Sequence, residues 1–207
     1  MTLLGSPTLL GTETGVVLAT TAALPLVVLC AIALAGRRIH LGMPRGRAWR
    51  TSLTEVGMVY GTVPGVWMTM LPGMRAGEVD GAVSLVPLRD LPTMSTFQVV
   101  GNLLIFAAFG LLAPWRWPAL ASVPRVVAVA ALASGTVETA QYVFRLDRVS
   151  SIDDVLLNAS GAGLACAVSI VVLGVGRLAA AVSRRHRRGA VTAIRATCPP
   201  AGTRTYP

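Results

Sequence analysis

Ser134-Gly-Thr-Val-Glu138-Thr-Ala-Gln141-Tyr-Val-Phe-Arg145 closes one apolar run, and Ser151-Ile-Asp153-Asp154-Val-Leu-Leu-Asn158-Ala-Ser-Gly161 opens the next, with Asp147 and Arg148 between them. The two runs, 123–144 and 155–176, each supply the roughly 20 apolar residues that a helix needs to cross a bilayer. A Glu, a Gln, an Asn, Arg residues and several Asp residues therefore gather at or inside a membrane boundary. Polar groups there are expensive, which makes them a candidate functional site.

Helical winding organises them. At about 100° per residue, Ser134, Glu138, Gln141 and Arg145 fall in one stripe about 60° wide. Asp154, Asn158, Gly161 and Ala165 fall in a second stripe that grades into small residues. Gln98 and Asn102, four apart, share a face of a third run, 95–113. Working outward, 15–35 is a fourth run, with Pro25 inside it. The weaker 53–71 is a fifth, carrying Glu55 near one end and interrupted by Pro64, Gly57, Gly61 and Gly65. The expected fold is all-α, a polytopic bundle of about five transmembrane helices. Its expected parts are an N-terminal region 1–83 with two spans, a core 84–176 with three, and a basic tail 177–207 without structure.

Composition agrees. The chain is 54% hydrophobic and only 13% charged, against about 25% charged in soluble domains; its mean hydropathy is +0.67. All 18 basic residues are arginine. They cluster at the ends of apolar runs rather than on a soluble face, which excludes a nucleic-acid binder. The three cysteines have no metal spacing and no pairing framework. His40 and His186 sit among arginines and read as solvated side chains. No metal and no cofactor are expected, because no nucleophile elbow or phosphate loop occurs either.

Orientation follows from arginine placement, since cytoplasmic loops carry the excess. With five spans, 14 arginines fall on one side and 4 on the other, namely Arg75, Arg89, Arg145 and Arg148. This puts the N-terminus outside and the C-terminus inside. Ala33-Leu34-Ala35 resembles a signal-peptidase site. No positive residue precedes that run and five arginines follow it, so a retained anchor is expected.

On this topology the polar stripes converge on the extracytoplasmic half, with Glu138 about 9 Å below its helix exit. The ligand-binding candidates are Asn102, Glu138, Gln141, Arg145, Asp153, Asp154 and Asn158, joined by Arg89 and Arg148. Simpler roles stand beside them. Ser151 and Asp153 suit a helix start. Asp147 and Arg148 read as a solvated interfacial pair, Glu55 as an interfacial acid, and Gln141 and Asn158 as interhelical hydrogen-bonders. The run Arg184 to Arg188 suits a stop-transfer signal touching anionic headgroups.

The ordered series Leu85-Val86-Pro87-Leu88, Gly101-Asn102 through Phe106, Phe109, Gly110 and Pro114, then Ser134-x3-Glu138-x2-Gln141, Arg145 and Ser151-x-Asp153-Asp154-x3-Asn158-x2-Gly161 resembles the VanZ-like family of small bacterial membrane proteins. The resemblance covers about 84–172, and Ala108 stands where that family commonly has proline. It implies a multi-pass protein of the bacterial cytoplasmic membrane, a role at the cell envelope, and a link to resistance against teicoplanin-like lipoglycopeptides. Two readings of the site follow. One is a non-transport protein that binds a lipid-linked cell-wall precursor or a lipid headgroup. The other is an enzyme acting on a lipid headgroup, with Glu138 and Asp154 as catalytic acid/base partners. A transporter is poorly supported, because no inverted repeat is present and the pocket is one-sided. A scaffold would use the small-xxx-small face Gly57, Gly61 and Gly65 to meet a helical partner.

Overall fold

The computed structural model describes residues 9–197. The described residues are helical almost throughout: α1 Glu13–His40, α2 Arg45–Thr69, α3 Thr96–Ile105, α4 Ala107–Arg116, α5 Val123–Val143 and α6 Ile152–Thr197. Two three-residue strands, β1 Ala82–Ser84 and β2 Val149–Ser151, pair in parallel with Ala82 opposite Val149 and Ser84 opposite Ser151. Residues up to Ile170 form one compact unit, and the chain from Val171 onward a second.

Among the described residues four stretches, Glu13–His40, Thr96–Arg116, Val123–Val143 and Ile152–Arg184, are long and apolar enough to cross a membrane. The expected fifth, α2, has 25 residues, but Arg45, Arg47, Arg50 and Glu55 in its first half leave it less apolar than these four. The basic segment from Arg184, expected to lack structure, is helical through Thr197. Alanine and arginine are strong helix formers, and no proline intervenes before Pro199. The disorder expected of 198–207 lies outside the described residues.

Helix α1 ends where Gly42 adopts φ +87°, and Pro44 follows. This is a common stop signal, because a left-handed residue closes the last turn and proline cannot continue it. The four-residue link folds α2 back along α1, where the Tyr60 hydroxyl donates to the Thr20 carbonyl at 2.9 Å. The third apolar run, expected as one helix over 95–113, is two. The break falls at Phe106, with φ −104° and ψ 9°, and no proline lies in it. Packing sets its position: Ile105 lies against Gly65 and Ala108 against Gly61, while Ile105 and Phe106 are buried.

Gly57, Gly61 and Gly65 thus face Leu112, Ala108 and Ile105 of the same chain, an intramolecular packing face. The core beside them is small and apolar: Ile105, Phe106, Val126, Ala130, Ala159, Ala162 and Cys166. Small residues let transmembrane helices approach closely. The closest approaches are made by two glycines. A Cβ on Gly161 would lie 1.9 Å from the Leu103 carbonyl oxygen, and one on Gly110 would lie 2.0 Å from that of Ala162. No side chain larger than hydrogen fits at either crossing, so these two positions fix how α6 meets α3 and α4.

Candidate functional site

The start of α3, the end of α5 and the start of α6 meet at one end of the first unit. Side-chain bonds tie them together: Asn102 of α3 donates to Asp154 of α6, and Asn158 of α6 donates to Ser134 of α5 at 2.8 Å. The Ser151 N–H, just before α6, donates to Glu138 Oε2 of α5 at 3.0 Å. The Ser150 hydroxyl donates to the Glu138 carbonyl at 2.9 Å. The periodicity of α5 accounts for the burial of Ser134, Glu138 and Gln141 on one face.

Glu138 is 8% exposed. A buried carboxyl must be paired, protonated or hydrogen-bonded. Here a backbone N–H holds one oxygen, and Asp154 and Arg148 both lie within electrostatic reach. Asp154 in turn feels Asp153, Asp90 and Arg148. Four carboxylates and one guanidinium therefore share a single field.

Asp153 has a different task. It is 1% exposed. Its Oδ1 accepts the Leu88 N–H at 2.5 Å, and its Oδ2 accepts those of Asp90 and Leu91 at 2.9 and 3.1 Å. One carboxylate thus binds a turn 65 residues away. Leu88 pays for that turn with φ +64°, a region that non-glycine residues rarely occupy. The clamp brings Asp90 to β2, where the Ser151 hydroxyl donates to Asp90 Oδ2 at 2.7 Å. The Ser84 and Ser151 hydroxyls beside Asp90 hold its carboxyl below the usual carboxylate range; only the Ser151 contact closes to hydrogen-bond length. Ser151 also accepts the Asp153 N–H at 3.2 Å, so it caps α6 as expected while bridging to the loop.

Other expected site residues make their bonds outside the cluster or lie at its edge. Arg145 does not continue the α5 stripe, because the helix ends at Val143 and Arg145 turns to φ +49°. Its exposed guanidinium pairs with Asp80 at 3.5 Å. Gln141 donates its amide to the Thr69 carbonyl at 3.0 Å, satisfying the end of α2. Asp147 and Arg148 do not pair with each other. Asp147 accepts the Arg75 N–H at 3.0 Å, and Arg148 donates to the Leu71 carbonyl at 3.0 Å. Arg89 is exposed on the clamped turn beside Asp90. Gln98 is occupied by a capping box with Ser95, whose N–H it accepts at 2.9 Å.

Sequence reasoning places Asp90 with Arg89 in the loop that adds to this end but misses two of its elements, the β1–β2 pair and the capping box. Only the capping box has a local signal, Ser95-x-x-Gln98 ahead of an apolar run. Asn158, which donates to Ser134 through its amide nitrogen, has its Oδ1 buried without a hydrogen-bond partner. Among the described residues no group of His, Cys, Asp and Glu is arranged to hold a metal ion.

Apolar helices of bilayer length that enclose a cluster of carboxylates define a helical membrane protein with a polar site at its helix ends. The chain belongs to the VanZ/LLP1 family, whose model matches residues 58–173, more than half of its length. The match begins in α2, further toward the N-terminus than the resemblance over 84–172. The structure gives a reason: α2 packs its glycine face on α3 and α4, and Gln141 holds its end. No curated protein and no solved structure matches the chain.

Proposed function

We propose that the protein is a multi-pass component of the bacterial cytoplasmic membrane. In this reading it binds a lipid-linked cell-wall precursor or a lipid headgroup at the end formed by α3, α5 and α6. With α2 counted as a fifth crossing, the positive-inside rule turns this end away from the cytoplasm. The observation that carries the reading is Glu138. Its carboxyl is buried at a junction of three helix ends, beside Asp154 and Arg148, and its Oε2 accepts the Ser151 N–H. Such a site suits a ligand with hydroxyl or amide donors for the carboxylates and a phosphate for Arg148 and Arg89. Arg145, paired with Asp80, is the weakest of the arginine candidates.

Resemblance to VanZ-like proteins adds the expected outcome, lower susceptibility to teicoplanin-like lipoglycopeptides. The test is susceptibility of a deletion strain carrying either the native chain or Glu138→Ala, with membrane levels matched. Protection by the native chain and not by the variant supports the reading. Equal susceptibility of both to the empty strain removes the resistance role and leaves lipid binding to be measured directly. The second reading, an enzyme acting on a lipid headgroup, is favoured by the closeness of Glu138 and Asp154, two carboxyls available as an acid/base pair. Turnover of a labelled lipid by the purified native chain, abolished in Glu138→Gln, would select it over binding.

A further inference from the structure

The opposite end of the first unit carries a separate cluster. Glu55 of α2 is bridged by Arg38 of α1 and by Nε of Arg116 of α4, and Arg38 also donates to Ser52 Oγ at 2.6 Å. Two guanidiniums face one carboxylate, so the cluster keeps a positive charge. Arg37, Arg45, Arg47, Arg50 and Arg125 stand at the same helix ends. Arg116 bonds Glu55 through Nε, so its two terminal nitrogens keep N–H groups for another acceptor. Its guanidinium lies 5.2 Å from the ring centre of Trp117, an aromatic residue 41% exposed. Tryptophan is enriched at membrane interfaces, and its ring face attracts a cation.

Two apolar grooves open beside this cluster. One, of about 360 Å³, runs between α2 and α4–α5 past Met58, Phe106, Phe109 and Ala133. The other, of about 430 Å³, runs between α1 and α2 past Ala23, Val27 and Tyr60. Glu55, Val59 and Val63 line both. Val59 and Val63 are exposed and form the ridge that separates the grooves. Along α2, Glu55 to Val63 is a rise of about 12 Å. One leaflet of hydrocarbon is about 15 Å deep. The ridge between the grooves therefore runs through most of one leaflet's depth, beginning at a positive headgroup level.

We propose that this end holds one anionic glycerophospholipid. Its phosphate sits on Arg116 and Arg38, and its two acyl chains lie in the grooves on either side of Val59 and Val63. Charge selects the headgroup, the ridge divides the tails, and the bound lipid ties α1, α2, α4 and α5 together. The site is distinct from the carboxylate cluster and does not depend on what that cluster binds.

Native mass spectrometry of the full chain, delipidated in mild detergent and given phosphatidylglycerol or phosphatidylcholine of identical chains, tests this. The expected result is one phosphatidylglycerol per chain, retained about tenfold better than phosphatidylcholine, the scale of a charge-assisted hydrogen bond. Arg116→Gln should abolish the preference, and Arg116→Lys should keep part of it. Val59→Trp, at an exposed position that tolerates bulk, should lower retention of both lipids about tenfold with the melting temperature unchanged. It keeps the test decisive should Arg116→Gln fail to fold. Equal retention of the two lipids, or phosphatidylglycerol retention untouched by the substitutions, means a non-specific lipid annulus and overturns the proposal. So does a lipid-free dimer that Val59→Trp disrupts, which would assign the ridge to a second copy of the chain.

Discussion

The two ends of the first unit hold their carboxylates in opposite ways. At the site end, Asp153 and Glu138 are bound by backbone N–H groups of a clamped turn and of β2. At the arginine-rich end, Glu55 is bound by two side-chain guanidiniums. Backbone donors are fixed by the fold, so the first arrangement holds its carboxyls in one geometry and leaves little net charge pairing. Guanidinium donors sit on long side chains, so the second is adaptable, partly wet and sensitive to salt. A site that must present a carboxyl in one geometry is better served by the first, and a headgroup platform by the second.

The ends are joined through the crossing of α3 and α6, and the largest expected effect is there. Gly161→Ala puts a methyl 1.9 Å from a carbonyl oxygen and should abolish the folded protein. Gly135→Ala, with nothing within 4 Å, should melt at the native temperature or slightly above, by the helix-propensity gain of up to about 1 kcal/mol. Thermal unfolding in detergent compares them, and a well-folded Gly161→Ala would break the account of the crossing.

Next is Asp153→Ala. It leaves three backbone N–H groups without their acceptor and should cost about 3 kcal/mol or more, with little dependence on salt. Asp153→Asn keeps an acceptor oxygen and should cost less. Glu55→Gln should cost only about 1 kcal/mol, because the pairs are partly exposed, and the cost should shrink at high salt. The contrast between backbone and side-chain holding fails if the two salt responses match.

The smallest effect is a pH response of Asp90. The neighbouring Ser84 and Ser151 hydroxyls hold its folded carboxyl below the ordinary aspartate range. A depressed carboxyl stabilises the fold above its unfolded pKa and loses that contribution as pH falls through the folded value. The melting temperature should therefore be flat in this respect from pH 7 to about 5 and decline below about 4. Asp90→Asn should flatten the decline slightly; an unchanged pH profile in that variant would place the titrating group elsewhere.

Much of the bundle was legible because it is local. Periodicity put Ser134, Glu138 and Gln141 on one face, and hydropathy located every long helix. What was not legible depends on contacts distant in sequence. Nothing near Asp153 reveals that it binds residues 88–91, and a helix-start role at that position is locally sufficient. Arg145 was placed on the stripe because winding cannot tell where a helix stops without a glycine or proline; it stops two residues earlier. Glu55 reads as a lone interfacial acid until α4 brings Arg116 beside it. The strands are three residues each, too short for any alternation to register.

The break at Phe106 bears on how sequences are exchanged within such a fold. Ala108, where the resemblance to VanZ-like proteins leads one to expect proline, is the second residue of α4. In that first turn a missing N–H removes no intrahelical bond and a fixed φ is already helical. The bend here is made by backbone and packing alone, so the ring is not its cause. In chains that have it, proline would chiefly restrict the unfolded ensemble, shifting the folding equilibrium while the bend itself stays where it is.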